Sequence, residues 1–300
     1  GNSSRSDAAA CDLSHGDGAM SALLLALLFW IAAWGFNIWL ANSLWRETRL
    51  VRIAVPVIFG VTILVLWEGI VRGFGVSAVI LPAPSLVART FATSTDVLWV
   101  DFVQTVLKGA LRGFLIGLAA AMLCAIAIDR SAFLTRGLLP IGNFFAALPI
   151  VGVAPIMVNW FGFDWHSKAA VVVVMVFFPI LVNTVQGLRA TEAMQRDLMR
   201  TYAASYTQTL IKLRLPAAMP FIFNGLKIAT TLALIGAIVA EYFGSPTRGM
   251  GFRISTGVGS LSIDLVWAEI AVAAMAGTGF YGLVALIERR VTFWHPSQRG

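Results

Sequence analysis

Four ionisable side chains lie within or at the ends of sequence that is otherwise apolar: Glu68, Lys227, Glu241 and Glu269. A charge in such surroundings is costly unless it is paired, exposed at an interface or put to use, so each is a functional candidate. Glu68, directly after Trp67, and Glu241 stand near the ends of their runs, where each either pairs structurally or serves a gate or pathway. Lys227 follows Asn224 and is placed to snorkel toward the nearer surface. Glu269 falls one turn into the last apolar run. Asn143, Asn159, Asn183 and Thr184 either line a route through the apolar layer or hydrogen-bond between helices. Phe144, Phe145 and Trp160 are bulky enough to narrow such a route, and aromatic residues also populate cores and interfaces.

Bond-making chemistry is not legible in this set. No G-x-x-x-x-G-K-[ST] phosphate loop occurs, and Gly-Lys never appears as a dipeptide, so the chain lacks that device for holding a nucleotide. His15, His166 and His295 are far apart in tails or loops and have no metal-ligand spacing. Cys11 stands in a polar tail and Cys124 in an apolar run, which argues against a disulfide between them. No nucleophile–base constellation is present to suggest an enzyme.

Helices in lipid must carry these residues. Hydrophobic residues make up 58% of the 300 and charged residues 12%, against about 25% charged in an ordinary soluble domain. A spanning helix needs about 20 mostly apolar residues. Seven runs qualify: Met20–Trp45, Ile53–Val71, Val106–Ile128, Gly137–Phe161, Ala169–Leu188, Leu215–Glu241 and Leu265–Ile287. The runs 20–45, 137–161 and 169–188 contain no charge, and Pro149, Pro155, Pro179 and Pro220 lie inside runs, as spanning helices tolerate. At 26 residues, 20–45 is too long for a signal peptide and reads as an anchor followed by Arg46, Arg49 and Arg52. The Ser/Ala/Gly/Asp-rich stretch 1–19 reads as a disordered external tail. No internal repeat or second soluble domain is visible.

The net charge of +7 is explained by topology rather than by nucleic acid. If 189–214 is cytoplasmic, then so are 46–52, 129–136 and the C-terminal tail 291–300. Together with the basic end of the last run, these regions hold 13 of the 22 Lys and Arg residues. The positive-inside rule then puts the N-terminus outside and the C-terminus in the cytoplasm.

Residues 189–214 are the polar exception, with five basic and two acidic residues. Met194, Leu198 and Tyr202 recur at i,i+4, which suits one short amphipathic helix, and a second fits Thr207–Leu213. Leu215-Pro216 would then open the next span, with proline near a helix start. An apolar stripe on an otherwise polar linker needs a partner to cover it.

This segment resembles a signature found in permease subunits of bacterial ATP-binding cassette importers: Glu-Ala-Ala, three residues, Gly, nine residues, Ile, one residue, Leu-Pro. The matching positions are Asp197-Leu198-Met199, Ala203, Leu213 and Leu215-Pro216. Asp replaces Glu, Leu and Met replace the alanines, and Ala203 stands where glycine is usual, so a turn with positive φ there would be strained. The segments "LPAPSLV" (81–87), "ALPIVGVAPIMVNWFGF" (147–163), "FFPILVNTVQGL" (177–188), "LPAAMPFIFNGLKIA" (215–229) and "VAEYFGSPTRGMGFRI" (239–254) resemble the nitrate/sulfonate/taurine/bicarbonate-type branch in order.

The resemblance implies an all-α polytopic membrane protein. A six-helix type I importer core would occupy 46–290, with 20–45 as one extra N-terminal transmembrane helix. It implies that 189–214 couples to a separate ATPase through Asp197, Arg200, Ala203, Ala204, Ser205, Leu213, Leu215 and Pro216. It also implies an external substrate-binding protein, a second permease copy, a bacterial inner-membrane location, and ATP and magnesium on the partner rather than on this chain. Glu68, Asn143, Asn159, Asn183 and Glu241 are the candidates for the translocation pathway. An ion-gradient-driven secondary transporter is the alternative, and it would need polar groups clustered at mid-membrane in related halves.

Overall fold

The computed structural model of the chain describes residues 25–43, 48–131, 133, 137, 148–244 and 247–294. Asn143, Phe144, Phe145, the stretch 1–19, residues 295–300 and much of the fourth expected span lie outside them. Every regular element among the described residues is helical. In chain order they are α1 (Leu25–Ala41), α2 (Arg49–Gly73), α3 (Pro84–Thr93), α4 (Thr95–Arg130), α5 (Ile150–Phe161) and α6 (Trp165–Arg189). There follow α7 (Ala193–Thr201), α8 (Tyr206–Gly244), α9 (Met250–Gly259) and α10 (Ile263–Val291). Helices α2, α4, α6, α8 and α10 are long and apolar enough to cross a membrane, and α1 and α5 are shorter apolar helices.

Most boundaries shift by a few residues from the sequence expectation, and three of the shifts have a clear physical reason. Helix α4 begins at Thr95 rather than near Val106, because Asp101 is paired by tertiary contacts that tolerate its charge. Helix α6 begins at Trp165 and so takes in Lys168, which is buried and hydrogen-bonded. The separate helix expected at Thr207–Leu213 is instead the first part of α8, which runs unbroken from Tyr206. Ser205 caps this start, and Pro216 therefore lies inside a helix rather than opening one. A wide π turn at Leu210–Arg214 immediately precedes that proline, where the helical hydrogen-bond pattern must change.

The chain forms two compact units. The first takes the described residues of Gly1–Thr95 with Gly257–Ala268, and the second those of Asp96–Thr256 with Glu269–Gly300. In the first, the Asn37 amide on α1 donates to the Val55 carbonyl on α2 (3.3 Å), Thr90 on α3 donates to Asp264 (2.7 Å), and the Trp67 and Trp267 rings pack with centroids 4.8 Å apart.

In the second unit, α6 lies between α4 and α8. Helices gain little from solvent exclusion when the solvent is lipid, so close packing at small residues holds them together. Gly113 and Gly117, a G-x-x-x-G pair on α4, admit Val172 and Val176 of α6 where a Cβ would collide. Gly225 and Gly236 of α8 do the same for Asn183 and Met175 on α6. Val172, Val176, Ile180, Leu181 and Leu188 of α6 are fully buried in the resulting core.

Candidate functional site

A helix leaves its first N–H groups without partners, and its N-terminus carries partial positive charge. At α9 those groups are met by side chains from two other helices of the second unit. The Gly249 N–H donates to Asp101 Oδ1 (2.7 Å), the Met250 N–H to Thr105 Oγ1 (2.8 Å), and the Gly251 N–H to Glu241 Oε2 (3.3 Å). Thr105 in turn donates to Glu241 (2.6 Å), and Arg253 of α9 closes the set with an ion pair to Asp101 (2.8 Å). Gly249 has φ +118°, and a side chain there would meet the Glu241 carboxylate; one at Gly251 would run into the Ile238 carbonyl. The Gly-x-Gly spacing is what lets α9 come this close.

Lys168 completes the region. It is 1% exposed, and its ammonium donates to the carbonyls of Phe163 and Gly244 (2.8 Å for the latter), with Glu241 as a charged neighbour. Glu269 of α10 is fully buried, with Asp101, Arg253 and Glu241 as its charged neighbours. Glu241 thus accepts from Thr105 and from the Gly251 N–H at the end of its span. Asp101, Thr105, Lys168 and Arg253 escaped the sequence reading; the i,i+4 spacing of Asp101 and Thr105 was the signal that could have found two of them.

The first unit repeats the device on α3. Its N-cap position is Ala83, which has no side-chain acceptor, and Glu68 of α2 serves instead. Glu68 accepts from the Ser85 N–H (2.9 Å) and hydroxyl (2.7 Å) and pairs with Arg72 (2.5 Å).

The stretch 189–214 is built differently. Glu192 and Gln195 form a capping box that starts α7, and Ser205 and Gln208 form another that starts α8. Helix α7 ends in a Schellman motif: the Ala203 N–H donates to Arg200 O (2.9 Å) and the Ala204 N–H to Met199 O (3.0 Å). Ala203 carries this turn at φ +50°, the strained conformation its position implied. Helix α7 buries none of its residues. Met194, Leu198 and Tyr202 form a stripe exposed by 79%, 55% and 76%. Asp197 pairs loosely with Arg200 (3.3 Å) on the surface, Ala203 and Ser205 are exposed, and Ala204 is half-buried. Leu213, Leu215 and Pro216 are half-buried on α8.

The remaining candidates are dispersed. Asn159 and Trp160 are exposed on α5. Asn183 accepts from the Asn224 amide (3.0 Å) and donates to Pro179 O (2.8 Å), while Thr184 donates to Ile180 O (2.7 Å). Lys227 does not reach for the surface but pairs with Glu288 of α10 (2.9 Å).

Comparison with known proteins bears on this geometry. The pattern defining the binding-protein-dependent transport system inner membrane component family matches residues 113–293. A probable ABC transporter permease protein of Haemophilus influenzae is 33% identical over 74% of this chain and 90% of its own length. A formylaminopyrimidine transport permease protein of Halalkalibacterium halodurans is 31% identical over 81% and 96%. A putative aliphatic sulfonates transport permease protein of Bacillus subtilis is 30% identical over 79% and 86%.

Proposed function

The chain belongs to the family of binding-protein-dependent transport system inner membrane components, and on that premise we propose that 189–214 is the segment through which its transport cycle is driven. The protein is a multi-pass inner-membrane permease subunit of an ATP-binding cassette importer for a small solute. It is not itself an enzyme, since ATP hydrolysis resides in a separate subunit. Family membership implies two kinds of partner, ATPase subunits and a substrate-binding protein. The relatives are ABC permeases, which favours this reading over an ion-coupled carrier.

The observation that carries the coupling role is the stripe of Met194, Leu198 and Tyr202 on a helix that buries nothing of its own. An exposed apolar stripe of this kind marks a surface for another protein to cover. Asp197, Arg200, Ala203, Ala204 and Ser205 form the polar side and turn of this handle, and Leu213, Leu215 and Pro216 carry its motion into α8. ATP and magnesium bind the partner. A second permease copy completes the pathway, with the handle and C-terminus in the cytoplasm and the N-terminus outside. Helix α1 is an addition to the core. The solute arrives on an external binding protein, and the relatives' named substrates, a formylaminopyrimidine and aliphatic sulfonates, give its size range.

Asp197→Arg reverses the local charge and Ala203→Trp fills the turn. Both variants insert normally and lose the co-purifying ATPase. Full retention of the ATPase at wild-type stoichiometry in both would show that 189–214 is not the handle. A cysteine at Gln195 labels only from the cytoplasm and one at Thr247 only from outside; the reverse pattern would overturn the orientation.

A further inference from the structure

The handle's two ends converge on one ion pair, Arg214 with Asp129. Asp129, at the end of α4, receives both Nη atoms of Arg214 in a bidentate pair (2.6 Å each). It also accepts from the Tyr206 hydroxyl (2.8 Å). Arg214 uses its Nε to hold the Leu188 carbonyl (3.0 Å), and the Arg130 guanidinium lies 4.9 Å from the Tyr206 ring centroid. Leu188 is the last buried residue of α6 before the handle leaves, and Tyr206 is the first residue of α8 after it returns. Helix α4 is not adjacent to the handle in the chain, yet Asp129 grips the return directly through Tyr206 and Arg214, and the exit through Arg214's bond to the Leu188 carbonyl.

We infer that Asp129 is a positioning residue for transport, the joint that makes α4 move with the handle. A helix with no fully buried residue passes little load through its own face. Most of the load on α7 must leave through its ends, and both ends are tied to the Arg214–Asp129 pair. An apolar cluster would stabilise the bundle as well as this pair does, because desolvation offsets much of a buried pair's attraction. A fork of two charge-assisted bonds has direction and resists sliding, which apolar packing does not supply. With side-chain exposures of 7% for Asp129 and 15% for Arg214, the pair is shielded from screening ions.

This inference rests on the reading of 189–214 as the handle, and its test separates the two. Spin labels at Gln195 on α7 and Leu115 on α4 are placed in one permease copy per complex, and the complex with its ATPase is held in lipid nanodiscs. Distances are compared between the nucleotide-free state and the state trapped with ATP and vanadate. In the wild type, the distribution keeps its position and width. In Asp129→Asn it shifts by several ångströms and broadens on trapping, in Arg214→Lys it changes less, and Asp129→Glu restores the narrow form. Tyr206→Phe, which removes one bond, serves if Asp129→Asn does not assemble, and gives a smaller shift in the same direction. Asp96→Asn removes an exposed charge at the other end of α4 and leaves the distribution narrow. The inference is overturned if Asp129→Asn and Tyr206→Phe match the wild type, or if Asp96→Asn broadens the distances equally. Failure of the handle reading shows elsewhere, as an Ala203→Trp variant that keeps its ATPase.

Discussion

Helices α3 and α9 borrow their caps, whereas the handle brings its own. Glu68 reaches Ser85 from 17 residues away, and Asp101 reaches Gly249 from 148 away. The capping boxes at Glu192–Gln195 and Ser205–Gln208 close within three residues. A borrowed cap welds a short helix to its neighbours, because the acceptor belongs to another element. A local cap lets a short helix keep its shape while most of its side chains face outward. The permease therefore holds α9 as part of the bundle and presents α7 as a surface for something else.

The contrast breaks most visibly at Gly251. Gly251→Val drives a side chain into the Ile238 carbonyl and the Glu241 Cβ. A clash with backbone inside a buried network costs more than about 4 kcal/mol, so monodisperse protein extracted from membranes should nearly vanish. Wild-type yield would show that α9 is not welded in place.

Lys168→Met keeps the stem and removes the ammonium that holds Phe163 O and Gly244 O. Breaking a buried charged set of this kind costs about 3–5 kcal/mol, read as a lower unfolding midpoint in detergent with the ATPase still bound by the surviving fraction. An unchanged midpoint would remove Lys168 from the weld.

On the handle the sign reverses. Ala203→Gly relieves a left-handed turn that costs a residue with a Cβ about 1–2 kcal/mol. The predicted outcome is slower hydrogen exchange at the end of α7 and undiminished ATPase binding. Faster exchange would mean that the turn is not strained in the membrane-bound protein. Leu198→Glu, at a position 55% exposed, changes permease stability by less than about 0.5 kcal/mol yet releases the ATPase. A large loss of stability would show that the stripe packs within this chain.

The stripe and the turn of the handle were legible in the sequence, as were the acids Glu68 and Glu241, but the partners of the borrowed caps were not. The i,i+4 run of Met194, Leu198 and Tyr202 announces α7, and Ala203 at the turn announces its strain. A hydropathy window, by contrast, counts Asp101 and Lys168 as breaks in α4 and α6, because it cannot see Arg253 or Gly244. The start expected at Leu215-Pro216 was drawn to the proline, whereas Ser205 caps a helix that begins at Tyr206 and runs through the π turn at Leu210–Arg214. The G-x-x-x-G of Gly113 and Gly117 was readable but says only that a helix approaches, not which one.

The covered stripe is the claim on which the coupling role stands, and cysteine accessibility tests it directly. Leu198→Cys, placed in a permease whose Cys11 and Cys124 are replaced by serine, is treated with a water-soluble maleimide in nanodiscs. The permease alone should label rapidly, and the complex with its ATPase should be protected at least tenfold, an interface effect of about 1.4 kcal/mol. Equal labelling in the two samples, with the ATPase present at full stoichiometry, would contradict the assignment of α7 as the docking surface.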